Sequence, residues 1–310
     1  MIRFAVYGPG NISHRFMEGM KDVTCGKVTA FCTRNPDKVR EYGESYGVEK
    51  FLSAEQLLKD ETIDAVYVST PQYLHYEQIK SCLLAGKHVL SEKPIAVSPD
   101  ELAELHQIAD DKGVMLMEAQ KCLFVPVYGQ MEKWLDEERI GKVISVSADF
   151  SRANDHVDPN HWLMSQPGAG ALYDVGCYCL SEVLGLFGPE HEDISVETKR
   201  EYGVPVTSEV IITKKDGLKL KVTCSFRQDG DRDLVINGEK GTIRCHEFWK
   251  AHECSLLTKD GEETFSSDFE SEFTFEIEHF IKCIKENRTF SPINTPELSL
   301  AVTKILYDNR

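Results

Sequence analysis

Short apolar runs alternate with amphipathic stretches through the first 120 residues. IRFAVYG (2–8) reads as a buried strand and NISHRFMEGM (11–20) as a helix. KVTAFCT (27–33) and PDKVREYGESYG (36–47) repeat the pair, as do DAVYVST (64–70) and YLHYEQIKSCLLAG (73–86). KHVLSE (87–92), a helix over 98–113 with Ser98 as its N-cap, and the strand VMLMEA (114–119) complete the series. Strand and helix in strict alternation require crossover connections, which build a parallel sheet. The strands carry little period-two alternation, as expected when helices cover both faces.

The rhythm changes after about residue 120. A helix over 124–137 precedes the strand KVISVSADF (142–150); an irregular stretch follows, and then a helix within 170–187. From residue 194 ISVETKREY, PVTSEVIITKK, LKLKVTCSF, RDLVINGE, GTIRCHEF and ECSLLTK read as successive strands. Turn signals at Lys215-Asp216-Gly217 and Asn237-Gly238 separate them and favour antiparallel pairing. Helical patterns at 272–287 and 296–307 close the chain. The pattern predicts an α/β domain with a parallel, doubly wound sheet over 1–120, then an α+β domain with an open, mainly antiparallel sheet over 121–310.

Composition narrows the function. The chain has 310 residues, 41% hydrophobic and 28% charged, enough for two globular domains. Lys plus Arg number 35 against 51 Asp plus Glu, a formal charge of −16 that repels phosphate backbones and anionic lipid. Nucleic acid and membrane are therefore not expected partners, while a small anionic cofactor needs only a local positive pocket. No window approaches the ~18 apolar residues of a membrane span, and MIRFAVYGPG does not open like a signal peptide. Ten cysteines with no CxxC pair point to reduced thiols in the cytoplasm and to no metal site.

Gly8-Pro9-Gly10-Asn11-Ile12-Ser13 lies between the first strand and the first helix. In a dinucleotide-binding (Rossmann) fingerprint, the first glycine permits the tight turn. The second admits a pyrophosphate, and the helix start offers free N–H groups. Ser13 takes the third position, where a small residue is needed. Sheets that prefer NAD end the second strand with an acid for the ribose 2′-hydroxyl. Here the residues are Thr33, Arg34 and Asn35, with Lys38 a turn further on. Arg34 would attract a 2′-phosphate, so NADP is expected over NAD. The plain alternative is that Arg34 is a solvated turn residue.

Three segments carry a family resemblance: Ala65-Val66-Tyr67-Val68-Ser69-Thr70-Pro71 with His75; Ala85-Gly86-Lys87-His88-Val89 leading to Glu92-Lys93-Pro94; and Gly168-Ala169-Gly170-Ala171-Leu172-Tyr173-Asp174-Val175-Gly176-Cys177-Tyr178. In order and separation they resemble the Gfo/Idh/MocA oxidoreductases over nearly the whole chain. Tyr178, where many members carry His, resembles the branch of dimeric dihydrodiol dehydrogenases and NADP-dependent aldose dehydrogenases. The resemblance implies that residues 1–120 bind NAD(P), and that 121–310 bind substrate and assemble a homo-oligomer, dimer or tetramer, through the open sheet. It also implies a small-molecule substrate: a sugar, polyol or dihydrodiol-like hydroxy or carbonyl compound.

Hydride chemistry needs a proton donor or acceptor at the substrate oxygen. Lys93 falls at the carboxyl edge of the sheet, where it can polarise that oxygen or favour ionisation of a neighbour. The Lys93–Pro94 bond is a candidate for cis. Asp174 and Tyr178, four apart, share one helix face. Tyr178 is assigned as the proton-transferring group and Asp174 as the group that orients substrate hydroxyls or Lys93. A phenol with its ordinary pKa of ~10 is a poor base, so a nearby cation is required. The resemblance places Thr70, Pro71 and His75 along the nicotinamide ribose, Glu92 against that ribose or the Lys93 backbone, and Trp162 over the substrate. His156 and His161 are further candidates. Gln120-Lys121-Cys122-Leu123-Phe124 departs from the aromatic–Arg–Phe pattern of many relatives, which leaves the substrate open. Two other functions fit the same fold: a non-catalytic NADP-binding regulator or sensor, and a redox-neutral glycoside-cleaving enzyme.

Overall fold

The structure, a computed structural model, describes residues 1–154, 159–165 and 167–310. The chain divides into two compact units: Met1–Ala119 with Glu270–Pro296, and Gln120–Phe269 with Glu297–Arg310.

In the first unit β1 (Ile2–Tyr7), β2 (Gly26–Cys32), β3 (Lys50–Leu52), β4 (Ala65–Val68), β5 (His88–Glu92) and β6 (Leu116–Ala119) form a parallel sheet. Its order is β3-β2-β1-β4-β5-β6. Phe4, Ala5 and Val6 of β1 and all four residues of β4 are fully buried, the signature of a sheet with both faces covered. The connecting helices are α1 (Asn11–Lys21), α2 (Arg40–Ser45), α3 (Ala54–Lys59), α4 (His75–Leu84) and α5 (Pro99–Lys112). Ser98 caps α5 by accepting from the Glu101 N–H, Pro99 occupies its first turn, and Gly113 ends it in the left-handed region at φ 64°. The helix Phe273–Lys285 belongs to this unit. Its Phe280 packs on Phe4 with ring centroids 5.9 Å apart, and Phe4 also meets Phe16 of α1 at 6.0 Å.

Two segments differ in detail from the sequence pattern. Residues 36–47 are not one helix: a 3-10 turn at Pro36–Lys38 is followed by α2. Val39 between them sits at φ −120°, ψ 2°, off the helical backbone. The pair β3 and α3 was not anticipated, because a three-residue strand is too short to show a period.

In the second unit β7 (Val143–Ser151), β8 (Asp193–Glu201), β9 (Val204–Thr213), β10 (Lys219–Ser225), β11 (Asp233–Gly238), β12 (Gly241–His246), β13 (Glu253–Thr258) and β14 (Gly261–Ser266) form one sheet. The order is β14-β13-β12-β11-β7-β10-β9-β8, antiparallel except between β7 and β10. Burial alternates along the strands: Val210, Ile212, Leu220, Val222, Leu234 and Ile236 are fully buried, and their neighbours face outward. The helices are α6 (Pro126–Asp136), α7 (Trp162–Ser165) and α8 (Cys177–Phe187), with the helix Pro296–Asp308 ending the chain. Residues Cys177 to Leu184 of α8 are buried and pack on β7 and β10. Among the described residues no helix is long and apolar enough to cross a membrane.

Three histidines of the first unit sit below their ordinary pKa of 6.5, each chiefly through burial. His279 is pushed down to about 4. The neutral ring is the form the fold favours, so this stabilisation is complete above pH 6.5 and is lost as pH falls toward about 4. Asp60, held at about 2 chiefly by the Lys50 hydrogen bond, titrates below that window. In thermal melts from pH 7.5 to 4.5 the Tm of the wild type should fall more steeply below about 6.5 than that of His279→Gln, a difference that cancels the opposite contribution of raised carboxyls such as Glu182. Parallel profiles for the two proteins would contradict the assignment.

Candidate active site

The strand order of the first unit reverses between β1 and β4, where the loops leaving two adjacent strands part to opposite faces and open a crevice. Gly8 follows β1 at φ +84°, and a side chain there would meet the Thr70 methyl at 2.3 Å, so only glycine fits. Ser69 donates from its N–H to the Tyr7 carbonyl at 2.9 Å, and its hydroxyl donates to the Gly8 carbonyl at 3.1 Å. The β1 and β4 loops are thereby joined. Gly10 has different surroundings: a side chain there would meet no protein atom nearer than 3.8 Å. The space beside it is open, and the first turn of α1, with Asn11 and Ile12, borders it. That is the cradle a pyrophosphate needs, so these residues fit a dinucleotide.

Ser13, at the third position of the fingerprint, is fully buried. Its hydroxyl accepts from the Gly10 N–H at 3.0 Å and donates to the Gly10 carbonyl at 2.7 Å. This exchange locks the loop onto the helix, a task that glycine or alanine could not perform. Beyond β2, the Thr33 N–H donates to the Leu52 carbonyl and its hydroxyl accepts from the Asn35 N–H. Arg34 and Lys38 are exposed at this edge. Arg34 lies near enough to Tyr7 to act on its phenol, although burial raises that pKa overall.

The other sequence-derived residues of this unit cluster around β4 and β5. Thr70 donates its hydroxyl to Gln78 at 2.6 Å. His75 is 1% exposed, with Nε2 2.7 Å from the Thr70 carbonyl and Nδ1 2.8 Å from the Pro94 carbonyl. It links two loops and offers neither nitrogen outward. A neutral ring has one N–H to divide between these two acceptors. Burial pushes its pKa down, against the pull of both carbonyls and Glu92. Glu92 is buried and accepts from the Tyr67 hydroxyl at 2.5 Å, while Tyr67 stacks on Phe16 at 3.8 Å. Lys93 is half-buried, and its bond to Pro94 is cis.

In the second unit Gly170 stands at φ +102°, and a side chain there would meet the Pro205 carbonyl at 2.4 Å. Its own carbonyl accepts from the Asp174 N–H at 3.0 Å. The segment Leu172–Gly176 winds as a π-helical turn that runs directly into α8. Such wide turns recur at functional sites. Asp174 on this turn is half-buried, and Tyr178 on α8 is 6% exposed. The ammonium of Lys121 lies 5.2 Å from the centre of the Tyr178 ring, with only 3% of Lys121 exposed. The sequence reading marked this segment as a departure from relatives without assigning Lys121; its opening glutamine–lysine pair was the available signal. Glu182, one turn beyond Tyr178, is buried, and burial pushes its carboxyl well above the usual range. Trp162 opens α7 half-exposed, its ring 5.5 Å from His161. His156 lies outside the described residues.

A phosphate cradle at a sheet switch point defines a dinucleotide-binding protein. Residues 2–120 match the Gfo/Idh/MocA oxidoreductase family, NAD-binding Rossmann fold, and residues 128–244 match that family's C-terminal domain. The chain belongs to this family and is an oxidoreductase. It is 30% identical to the scyllo-inositol 2-dehydrogenase (NADP(+)) IolU of Bacillus subtilis, over 100% of this chain and 96% of that protein. It is 28% identical to trans-1,2-dihydrobenzene-1,2-diol dehydrogenase of Sus scrofa, over 99% and 94%. Among solved structures it is similar to KijD10, a 3-ketoreductase from Actinomadura kijaniata in complex with TDP-benzene and NADP. That likeness has a TM-score of 0.84 and 26% identity, and covers 98% of this chain and 95% of that one.

Proposed function

We propose that the chain is an NADP-dependent dehydrogenase or reductase that moves hydride between nicotinamide and a hydroxyl or carbonyl carbon of a sugar, polyol or dihydrodiol-like substrate. The observation that carries the cofactor choice is Arg34, a guanidinium just beyond β2 where an acid would repel a 2′-phosphate. Thr33 and Lys38 share that edge. Gly8, Gly10, Asn11 and Ile12 hold the pyrophosphate, and Thr70 and Pro71 border the nicotinamide end with Glu92 and Lys93. The relatives IolU and KijD10, both named with NADP, support the choice.

When bound, nicotinamide supplies or accepts the hydride. Lys93 polarises the substrate oxygen. Tyr178 gives or takes its proton, and Asp174 holds neighbouring hydroxyls. The Lys121 ammonium over the Tyr178 ring places a cation beside the proton-transferring group. Trp162 offers an aromatic face to the apolar side of a sugar or ring. The second unit carries substrate binding, and its open sheet assembles a homo-oligomer in the cytoplasm. The test is a panel of sugars, inositols and dihydrodiols assayed with NADP and NAD at the nicotinamide absorbance. Turnover with NADP on a polyhydroxylated substrate supports the reading. Tight NADPH binding with no turnover across the panel would favour a sensor instead.

A further inference from the structure

The turn that carries Lys93 is held from two sides by the buried polar side chains of His75 and Glu118. The Pro94 carbonyl faces His75 Nδ1 at 2.8 Å, and the Ile95 N–H donates to Glu118 Oε1 at 3.0 Å. His75 comes from the start of α4 and is 1% exposed; Glu118 comes from β6 and is 5% exposed. Neither support is itself loose. The second ring nitrogen of His75 is tied to Thr70, and the Glu118 carbonyl accepts from Asn294 Nδ2 at 3.1 Å. A side chain on a turn is aimed only as well as its flanking peptides are fixed. Here a peptide oxygen and a peptide N–H within two residues of Lys93 are both fixed by buried side chains.

We propose that Glu118 and His75 are positioning residues for Lys93, with Glu118 fixing the turn through the Ile95 N–H. His75 couples that turn to the Thr70–Pro71 loop. The proposal rests on the reading of Lys93 as catalytic. Glu118 acts as an acceptor toward the Ile95 N–H, a part that an amide oxygen at the same place can also play.

The test compares Glu118→Ala, Glu118→Gln and Lys93→Met in the full chain, with two readouts. Hydrogen exchange of the 93–97 segment reports the hold on the turn, independently of any chemistry. Steady-state kinetics with NADPH report its consequence. Glu118→Ala should speed exchange at Ile95 and lower kcat by about 10- to 100-fold, with the KM for NADPH little changed. Glu118→Gln, whose amide oxygen still accepts from Ile95, should restore both. Wild-type kcat in Glu118→Ala, or failure of Glu118→Gln to rescue a variant that folds with the parent Tm, would overturn the positioning role. Undiminished turnover in Lys93→Met would instead overturn the catalytic reading of Lys93 and leave the hold on the turn to be judged by exchange alone.

Discussion

Lys93→Met should lower kcat by about two to four orders of magnitude, the range that a positioned proton-transfer or polarising group supplies. NADPH binding should survive, because the phosphate cradle is built from Gly8, Gly10 and the α1 start. None of these leans on the lysine side chain: Gly8 is fixed by Thr70 and Ser69, and Gly10 by Ser13. Methionine keeps the length and apolar stem of lysine and removes only the charge and donors. Fluorescence titration of NADPH alongside turnover separates the two effects. Equal losses in binding and in rate would mean that Lys93 is a cofactor ligand and not the group that acts on substrate.

Arg34→Ala should weaken NADPH by about 10- to 100-fold and leave NADH nearly unchanged, since hydrogen bonds to charged groups contribute ~1.5–3 kcal/mol. The asymmetry is the informative part. Arg34 is exposed beyond β2, so its loss disturbs no packing, and any effect on NADPH arises from the ligand. Raising the ionic strength should shrink the difference, because an exposed charge pair is screened. Parallel loss of both cofactors would show that the guanidinium serves the adenine or the fold and not the 2′-phosphate.

The parallel sheet was legible because strands buried on both faces leave short continuous apolar runs such as Phe4-Ala5-Val6 and Val66-Tyr67-Val68, and these alternate with amphipathic helical stretches. The open sheet was legible because its strands alternate and its turns carry glycine. β14 escaped notice: GEETFS has one aromatic among exposed polar residues, so there is no apolar face to read. The placement of Glu270–Pro296 with the first unit was also hidden. Phe273, Ile277, Phe280 and Ile281 announce an amphipathic helix, but linear order does not say which sheet will cover it. Within the site, Gly8 and Gly10 could be read because their backbone demands restrict the residue type, and the Glu92-Lys93-Pro94 turn through the family resemblance. Glu118, and the hold of His75 on the Pro94 carbonyl, could not, because their partners are peptide groups, which carry no sequence signature. The π-helical turn at Leu172–Gly176 is likewise a backbone event inside a segment that reads as an ordinary helix.

The central claim is that hydride passes between nicotinamide and a substrate carbon and stays where it lands. Single-turnover reaction of NADPH deuterated at both C4 positions with the carbonyl form of a substrate found in the panel tests this directly, with mass spectrometry of the product. The account predicts one deuterium on the new carbinol carbon and a matching loss of nicotinamide absorbance. Product that forms without the label and without any net change in that absorbance would contradict it.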